Sequence, residues 1–348
     1  MGFFRQFSFR LVSVLLALGI TVLIIYATGV DPLFALSSLF QGSFGSVQGI
    51  SETIVLMTPL LLSALGVIIA FRTKLINIGS EGQMAMGIVG AGIVSVGAED
   101  ITGLLLLALI GGFIFGGLWG GLAGFLKAKL NVSEIVSTLM LNFIALLFIT
   151  YLAQGPWRDP SSVAAVSYPI PLTAQLLRFV AGTRLHIGIV VVVVCVIGVY
   201  FLLWKTTWGY RMRAVGVNIE AARAGGIRVG STIVLTMFIS GGLAGLAGAV
   251  QLCGVYHRVL PAMTANIGYN SILVALLGNL SILGSVLASI LFSSLIVGAD
   301  TMYYLTGISR YLVFFIQGLI ILFVISGDKL FLNIKLGSVR KKIFSKVK

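Results

Sequence analysis

Apolar runs of about twenty residues alternate with short polar stretches along almost the whole chain. A bilayer core of about 30 Å needs about 20 apolar residues as helix. On that measure the pattern predicts spans near 11–30, 53–71, 76–97, 103–126, 135–153, 186–204, 232–254, 270–281, 284–299 and 311–326. The eighth run is short and carries Asn270 and Asn279, which suits a broken or re-entrant helix. The fold class expected is all-α, a polytopic membrane helix bundle of about ten transmembrane helices forming one domain over 1–348.

The pattern breaks most sharply at a polar island, KTTWGYRMRAVGVNIEAARAGGIRVGS, from Lys205 to Ser231. It holds Lys205, Arg211, Arg213, Arg223 and Arg228 against one acid, Glu220. Asn218 is placed to cap a short helix, and Gly225-Gly226 to end it. A small helix of this kind suits a membrane subunit driven by a soluble partner.

Composition narrows the class. Hydrophobic residues make up 58% of the chain and charged ones 9%, against roughly 25% charged in soluble domains. A soluble enzyme is excluded. The net charge of +13 does not indicate nucleic acid, because the basic residues sit in short loops and the tail. Lys and Arg mark the cytoplasmic side. With the N-terminus inside, only Arg158, Arg178, Arg184, Arg258 and Arg310 of the 23 basic residues fall outside. Both termini, the island and the basic tail 328–348 are then cytoplasmic. Arg5 and Arg10 before an apolar run from Leu11 resemble a signal peptide, but no A-x-A site follows, and a retained span is expected.

The outside segment 154–185 contains Pro156, Pro160, Pro169 and Pro171, which argue for an ordered, irregular cap. It reads as a docking surface for delivered substrate or as a solvated connector. Gly112, Gly116, Gly120 and Gly124 share one helix face, widened by Gly117 and Gly121. Gly87, Ala91 and Ser95 repeat the device, as do Gly241 and Gly245. Close helix packing within the chain is the expected use. Similar span patterns either side of 154–185 hint at an inverted repeat.

Polar residues inside apolar spans carry the candidate chemistry. Lys74-Leu-Ile-Asn-Ile-Gly-Ser-Glu-Gly-Gln83 places Glu81 near the start of the third span, with Asn77 and Gln83 beside it. An intramembrane acid is a functional candidate; the alternative is that Glu81 snorkels to the interface or pairs with Lys74. Gly79 and Gly82 permit a broken backbone there. Asn142 and Gln317 are the other embedded polar groups, suited to helix–helix hydrogen bonds or to a ligand. No relay of Asp, Glu and His crosses the membrane, which argues against a proton-coupled carrier.

No G-x-x-x-x-G-K-[ST] phosphate loop occurs, nor H-E-x-x-H, nor G-x-S-x-G. His186 and His257 lie at span ends. Cys195 and Cys253 have no metal or disulfide spacing and read as packing residues. No metal site, no cofactor and no catalytic residue is expected in this chain.

Gly216-Val-Asn218-Ile-Glu220-Ala221-Ala222-Arg223-Ala-Gly-Gly226-Ile227 resembles the coupling segment of ABC-type importer permeases of the branched-chain amino acid and simple-sugar class. Asn77-Ile-Gly-Ser-Glu81-Gly82-Gln83 resembles a signature of the nucleoside-transporting branch, and Ala275-Leu-Leu-Gly278-Asn-Leu-Ser-Ile-Leu-Gly284 with Gln317-Gly-Leu-Ile also resembles that family. The resemblance spans about residues 50–326. It implies a bacterial plasma membrane permease without its own ATPase site. ATP and Mg would be bound by an ATP-binding cassette partner, whose groove receives the helix at Ala221-Ala222 and Gly226-Ile227. It further implies a second, related permease in a heterodimer and a substrate-binding lipoprotein outside, with membrane lipid as the remaining partner. Arg223 and Arg228 would meet partner acids. Nucleosides, simple sugars and riboflavin are the cargoes of relatives with such signatures. An ion-coupled secondary transporter and a non-transporting scaffold are the rival classes.

Overall fold

The structure, a computed structural model, describes residues 19–309, 311–319 and 322–323. Helices dominate, and among the described residues β-structure is limited to two isolated bridges, Arg158 with Ser167 and Arg178 with His186. The expectations for the N-terminal charges and the basic tail fall outside the described residues. The described residues divide into two compact units, one of residues 51–293 and one formed by those that lie within 1–50 and 294–348.

The larger unit contains most of α3 (Val47–Arg72), then α4 (Ser80–Ser95), α5 (Leu104–Leu130), α6 (Glu134–Gln154), α7 (Gly188–Lys205), α8 (Thr207–Val217), α9 (Ile219–Ala224), α10 (Val229–Gln251) and α11 (Ile267–Leu277). The start of α12 (Ile282–Thr306) closes it. Its centre is the packing of α4 and α5 on α10. Glycine makes that packing possible. A Cβ at Gly116 would lie 2.5 Å from Gly241 O, one at Gly87 2.1 Å from Gly245 O, and one at Gly245 2.2 Å from Gly112 O. The glycine stripes are therefore used within the chain, where backbones meet directly.

Two of the expected spans of the larger unit form helices shorter than a bilayer core. α4 has 16 residues, about 24 Å, and α11 has 11, about 16 Å. The third span was expected over 76–97. It begins at Ser80 instead, because α3 runs on to Arg72 and residues 75–78 return without helical structure. α11 runs parallel to α3, with Ser271 Oγ 2.8 Å from Ser63 Oγ and Leu280 O accepting from Arg72 Nη2 at 2.9 Å. Glu81 contacts the first residues of α11, which lie deeper than Ser63, so Glu81 is deep rather than interfacial. Among the described residues six helices are long and apolar enough to span a membrane, seven if the bent pair Gly19–Ala27 and Pro32–Phe44 counts as one. The sequence count of about ten treats the short helices and the partly described last run as full spans.

In the smaller unit, α1 (Gly19–Ala27) and α2 (Pro32–Phe44) meet at 112°. Asp31 caps α2 by accepting from Leu33 N at 2.9 Å, with Pro32 in the first turn. α2 packs closely on the later part of α12, where a Cβ at Gly298 would lie 2.2 Å from Leu39 O. Ile25, Ala35, Ala299, Met302, Ile308 and Val313 form its core.

Candidate functional site

The island folds as two helices joined at one residue. Thr206 caps α8 through Gly209 N. Asn218 ends α8 and starts α9, its Oδ1 accepting from Glu220 N at 2.9 Å and Ala221 N at 3.0 Å. α9 closes with Gly226 N donating to Arg223 O and Ile227 N to Ala222 O, both at 3.0 Å, with Gly226 at φ +79°. That is a Schellman motif, which places glycine at the left-handed position and an apolar residue next. Gly226-Ile227 thus terminates the helix. The alanines differ: Ala221 is exposed and Ala222 buried. Arg223 Nη1 pairs with Glu220 Oε1 at 3.1 Å, both highly exposed, a geometry worth little in stability.

The island rests on the end of α3. A Cβ at Gly216 would come within 2.0 Å of Arg72 O, and Lys74 Nζ lies 3.4 Å from Val217 O. The Arg213 guanidinium lies 4.5 Å and that of Arg72 5.6 Å from the Trp204 ring centroid, cation–π contacts that tie α8, α3 and α7 together.

Behind that junction is a buried polar knot. Asn77 Nδ2 donates to Gln83 Oε1 and to Ser240 Oγ of α10, both at 2.9 Å. Asn77 Oδ1 accepts from Gly79 N at 2.9 Å and Gln83 Nε2 at 3.0 Å. Asn142 of α6 accepts from Gly82 N at 2.9 Å and donates to Ile78 O at 2.9 Å and Tyr269 Oη at 3.1 Å. Glu81 neither snorkels nor pairs with Lys74. It is 2% exposed, and its carboxylate accepts from Asn266 N at 3.0 Å, Gly268 N at 2.7 Å and Tyr269 N at 3.3 Å. These are orphan donors at the start of α11. The backbones touch there, since a Cβ at Gly268 would lie 2.3 Å from Glu81 N. Two helix N-termini, each carrying partial positive charge, face one another with the carboxylate between them.

Asn77, Glu81, Gln83 and Asn142 are therefore one network. Gln317 belongs to the smaller unit, where it is buried with Nε2 unpartnered among the described residues. Sequence reasoning missed Arg72, Trp204, Ser240 and the 266–269 turn. The short eighth run was the available signal, because a helix that starts inside a membrane needs its first N–H groups satisfied.

At the opposite end of α7 and α10, the segment 154–185 is an ordered cap. Ser167 N, Ile170 N and Leu176 N donate to Val259 O, His257 O and Cys253 O, just where α10 loosens into a π turn (Leu252–Tyr256). Ion pairs pin it: Arg258 with Asp159 at 2.9 Å and Arg184 with Glu52. Hydrogen bonds from Ser161, then the Arg258 guanidinium, hold the Asp159 carboxyl below its ordinary value. His186 is buried, and its Nδ1 accepts from Gly188 N at 3.1 Å. Burial, then His257 and Arg178, push its pKa down to about 4. Among the described residues no cluster of His, Cys, Asp or Glu could hold a metal.

Spanning helices thus carry a polar island at one end and an ordered cap at the other. The chain belongs to the family described as branched-chain amino acid transport system / permease component, which matches residues 49–325. It is a multi-pass plasma membrane protein. It is 35% identical to the guanosine ABC transporter permease protein NupP of Bacillus subtilis (strain 168), over 95% of this chain and 96% of that one. It is 31% identical to the nucleoside ABC transporter permease protein NupB of Lactococcus lactis subsp. cremoris (strain MG1363), over 86% and 85%. It is 30% identical to the glucose ABC transporter permease protein TsgB13 of Haloferax volcanii, over 91% and 86%. No solved structure matches the chain.

Proposed function

We propose that this permease subunit imports a nucleoside, driven by ATP hydrolysis on a partner ATPase that docks at α9. The observation that carries the reading is α9 itself, a short capped helix with Ala221 outward, continuing from α8, which rests on α3 and α7. Small side chains let such a helix enter a partner's groove. Termini and island face the cytoplasm in this reading, in agreement with the Lys and Arg bias, and the spans number about ten. ATP and Mg stay on the ATPase. A second, related permease completes the path as a heterodimer, and a substrate-binding lipoprotein delivers cargo to the cap.

The relatives named for guanosine and nucleosides, similar over most of the chain, support the cargo. A relative named for glucose and one named for probable riboflavin import keep a sugar or flavin as the alternatives. The knot favours a neutral cargo, because its carboxylate already occupies the positive ends of α4 and α11. Asn77, Glu81, Gln83 and Asn142 then shape the path or its gate from behind, and Gln317 is a separate candidate. Uptake of radiolabelled guanosine by proteoliposomes holding the full complex tests this. It should require ATP and compete with other nucleosides but not with glucose or riboflavin. Uptake driven by an ion gradient without the ATPase would instead establish a secondary transporter.

A further inference from the structure

We propose that Arg72 and Glu81 are positioning residues that hold the half-span helix α11 from its two ends, Arg72 being the joint through which movement of the α8–α9 island reaches it. The proposal rests on the ATPase-docking reading of α9.

The geometry is that of a clamp with matched charges. Glu81 accepts from three N–H groups at the start of α11, and Arg72 Nη2 donates to Leu280 O just beyond its end. An anion at the N-terminus and a cation at the C-terminus are the favourable arrangement for a helix dipole. Both clamping residues come from one short stretch, the end of α3 and the start of α4, so α11 is held by a single bracket. Just beyond its far end Leu280 has φ +52°, a conformation that a residue of this type keeps only where its surroundings impose it.

Arg72 also touches the island. It shares the Trp204 ring with Arg213 of α8, and its backbone lies under Gly216. Lys74 also reaches the island, at Val217 O, but makes no hydrogen bond to α11 among the described residues. Arg72 Nε is buried and unpartnered among the described residues, leaving one donor at the joint to take up a new acceptor when the island shifts.

The test uses the complex co-purified with its ATPase. Leu273→Cys on α11, in a chain with Cys195→Ala and Cys253→Ala, is labelled with a maleimide with and without ATP. The expected result is a labelling rate that changes with ATP by about tenfold, within the range of ordinary coupling between sites. Arg72→Met should abolish that change while the complex still hydrolyses ATP, and Arg72→Lys, which keeps a cation at the Leu280 carbonyl, should restore part of it. The same ATP-dependent change in Arg72→Met, or none in the parent chain, overturns the joint. Should Arg72→Met not accumulate in membranes, Arg213→Gln, which removes the half-buried α8 partner on the Trp204 ring, takes its place, and an undiminished change there counts equally against it. An ATPase that still drives transport when Ala221 is replaced by Arg overturns the docking reading; intact docking with unchanged labelling overturns the joint alone.

Discussion

Asn77 and Gln83 exchange two amide hydrogen bonds, Asn77 Nδ2 to Gln83 Oε1 at 2.9 Å and Gln83 Nε2 to Asn77 Oδ1 at 3.0 Å. The pair closes the turn that carries the chain back into the bundle, so α4 can begin deep beside α11. Asn77→Ala leaves Gln83 and Ser240 short of partners. A buried polar group stripped of its partner costs about 1–3 kcal/mol. Thermal unfolding of the detergent-purified chain should show a marked loss, and a variant as stable as its parent would mean that the pair is dispensable.

The glycine contacts make opposite predictions at two sites. Gly245→Ala drives a methyl group into Gly112 O and Gly116 Cα, and overpacking of this kind costs about 1–3 kcal/mol or more. Gly198→Ala meets nothing within 4 Å inside α7, and removing glycine from a helix at such a site is worth about 0.4–1 kcal/mol of added stability. Melting temperatures of the two variants should move in opposite directions.

Ala221 and Ala222 are neighbours with different duties. Ala221→Arg should abolish ATP-driven uptake with the melting temperature unchanged, because the residue faces outward. Ala222→Arg should lower stability first, because Ala222 is 5% exposed beneath the Schellman closure. Uptake and melting measured together distinguish the two. Normal uptake by the Ala221 variant would remove α9 from the drive mechanism.

The cap should weaken in acid. His186 has a folded pKa of about 4, below its ordinary 6.5, because burial and then His257 and Arg178 oppose its charge. Between those values the unfolded state binds more protons, so stability is complete above pH 6.5 and is lost as pH falls toward 4. The loss is about 2 kcal/mol by about pH 5, at about 1.4 kcal/mol per pH unit. Limited proteolysis of the cap at pH 7.5 and pH 5 checks it. His186→Phe, which cannot titrate, should flatten the difference.

Much of this architecture was legible in the residues. Apolar runs located the helices, glycine spacing foretold that α5 and α10 would each pack closely on a neighbour within the chain, and Asn218 with Gly225-Gly226 marked α9 to the residue. The knot was legible only in part. Its members were picked out because polar groups are rare in apolar runs, yet their depth was misjudged. Hydropathy is blind to a chain that returns toward the bundle in extended form, so residues 76–78 were counted as helix and Glu81 as shallow. Nor does a linear pattern reveal that Gly268 needs to lack a side chain because Glu81 lies against it. Such pairings depend on which helices become neighbours, and that is set by packing over the whole bundle.

α10 begins five residues after α9 ends and finishes in the π turn to which the cap is hydrogen-bonded. One continuous element therefore bears both faces on which other proteins would act. Linkage then demands reciprocity: whatever factor a loaded binding protein at the cap applies to the ATPase's affinity for α9, the ATPase applies to the binding protein's affinity for the cap. A permease of this design is then a balance beam as well as a passage.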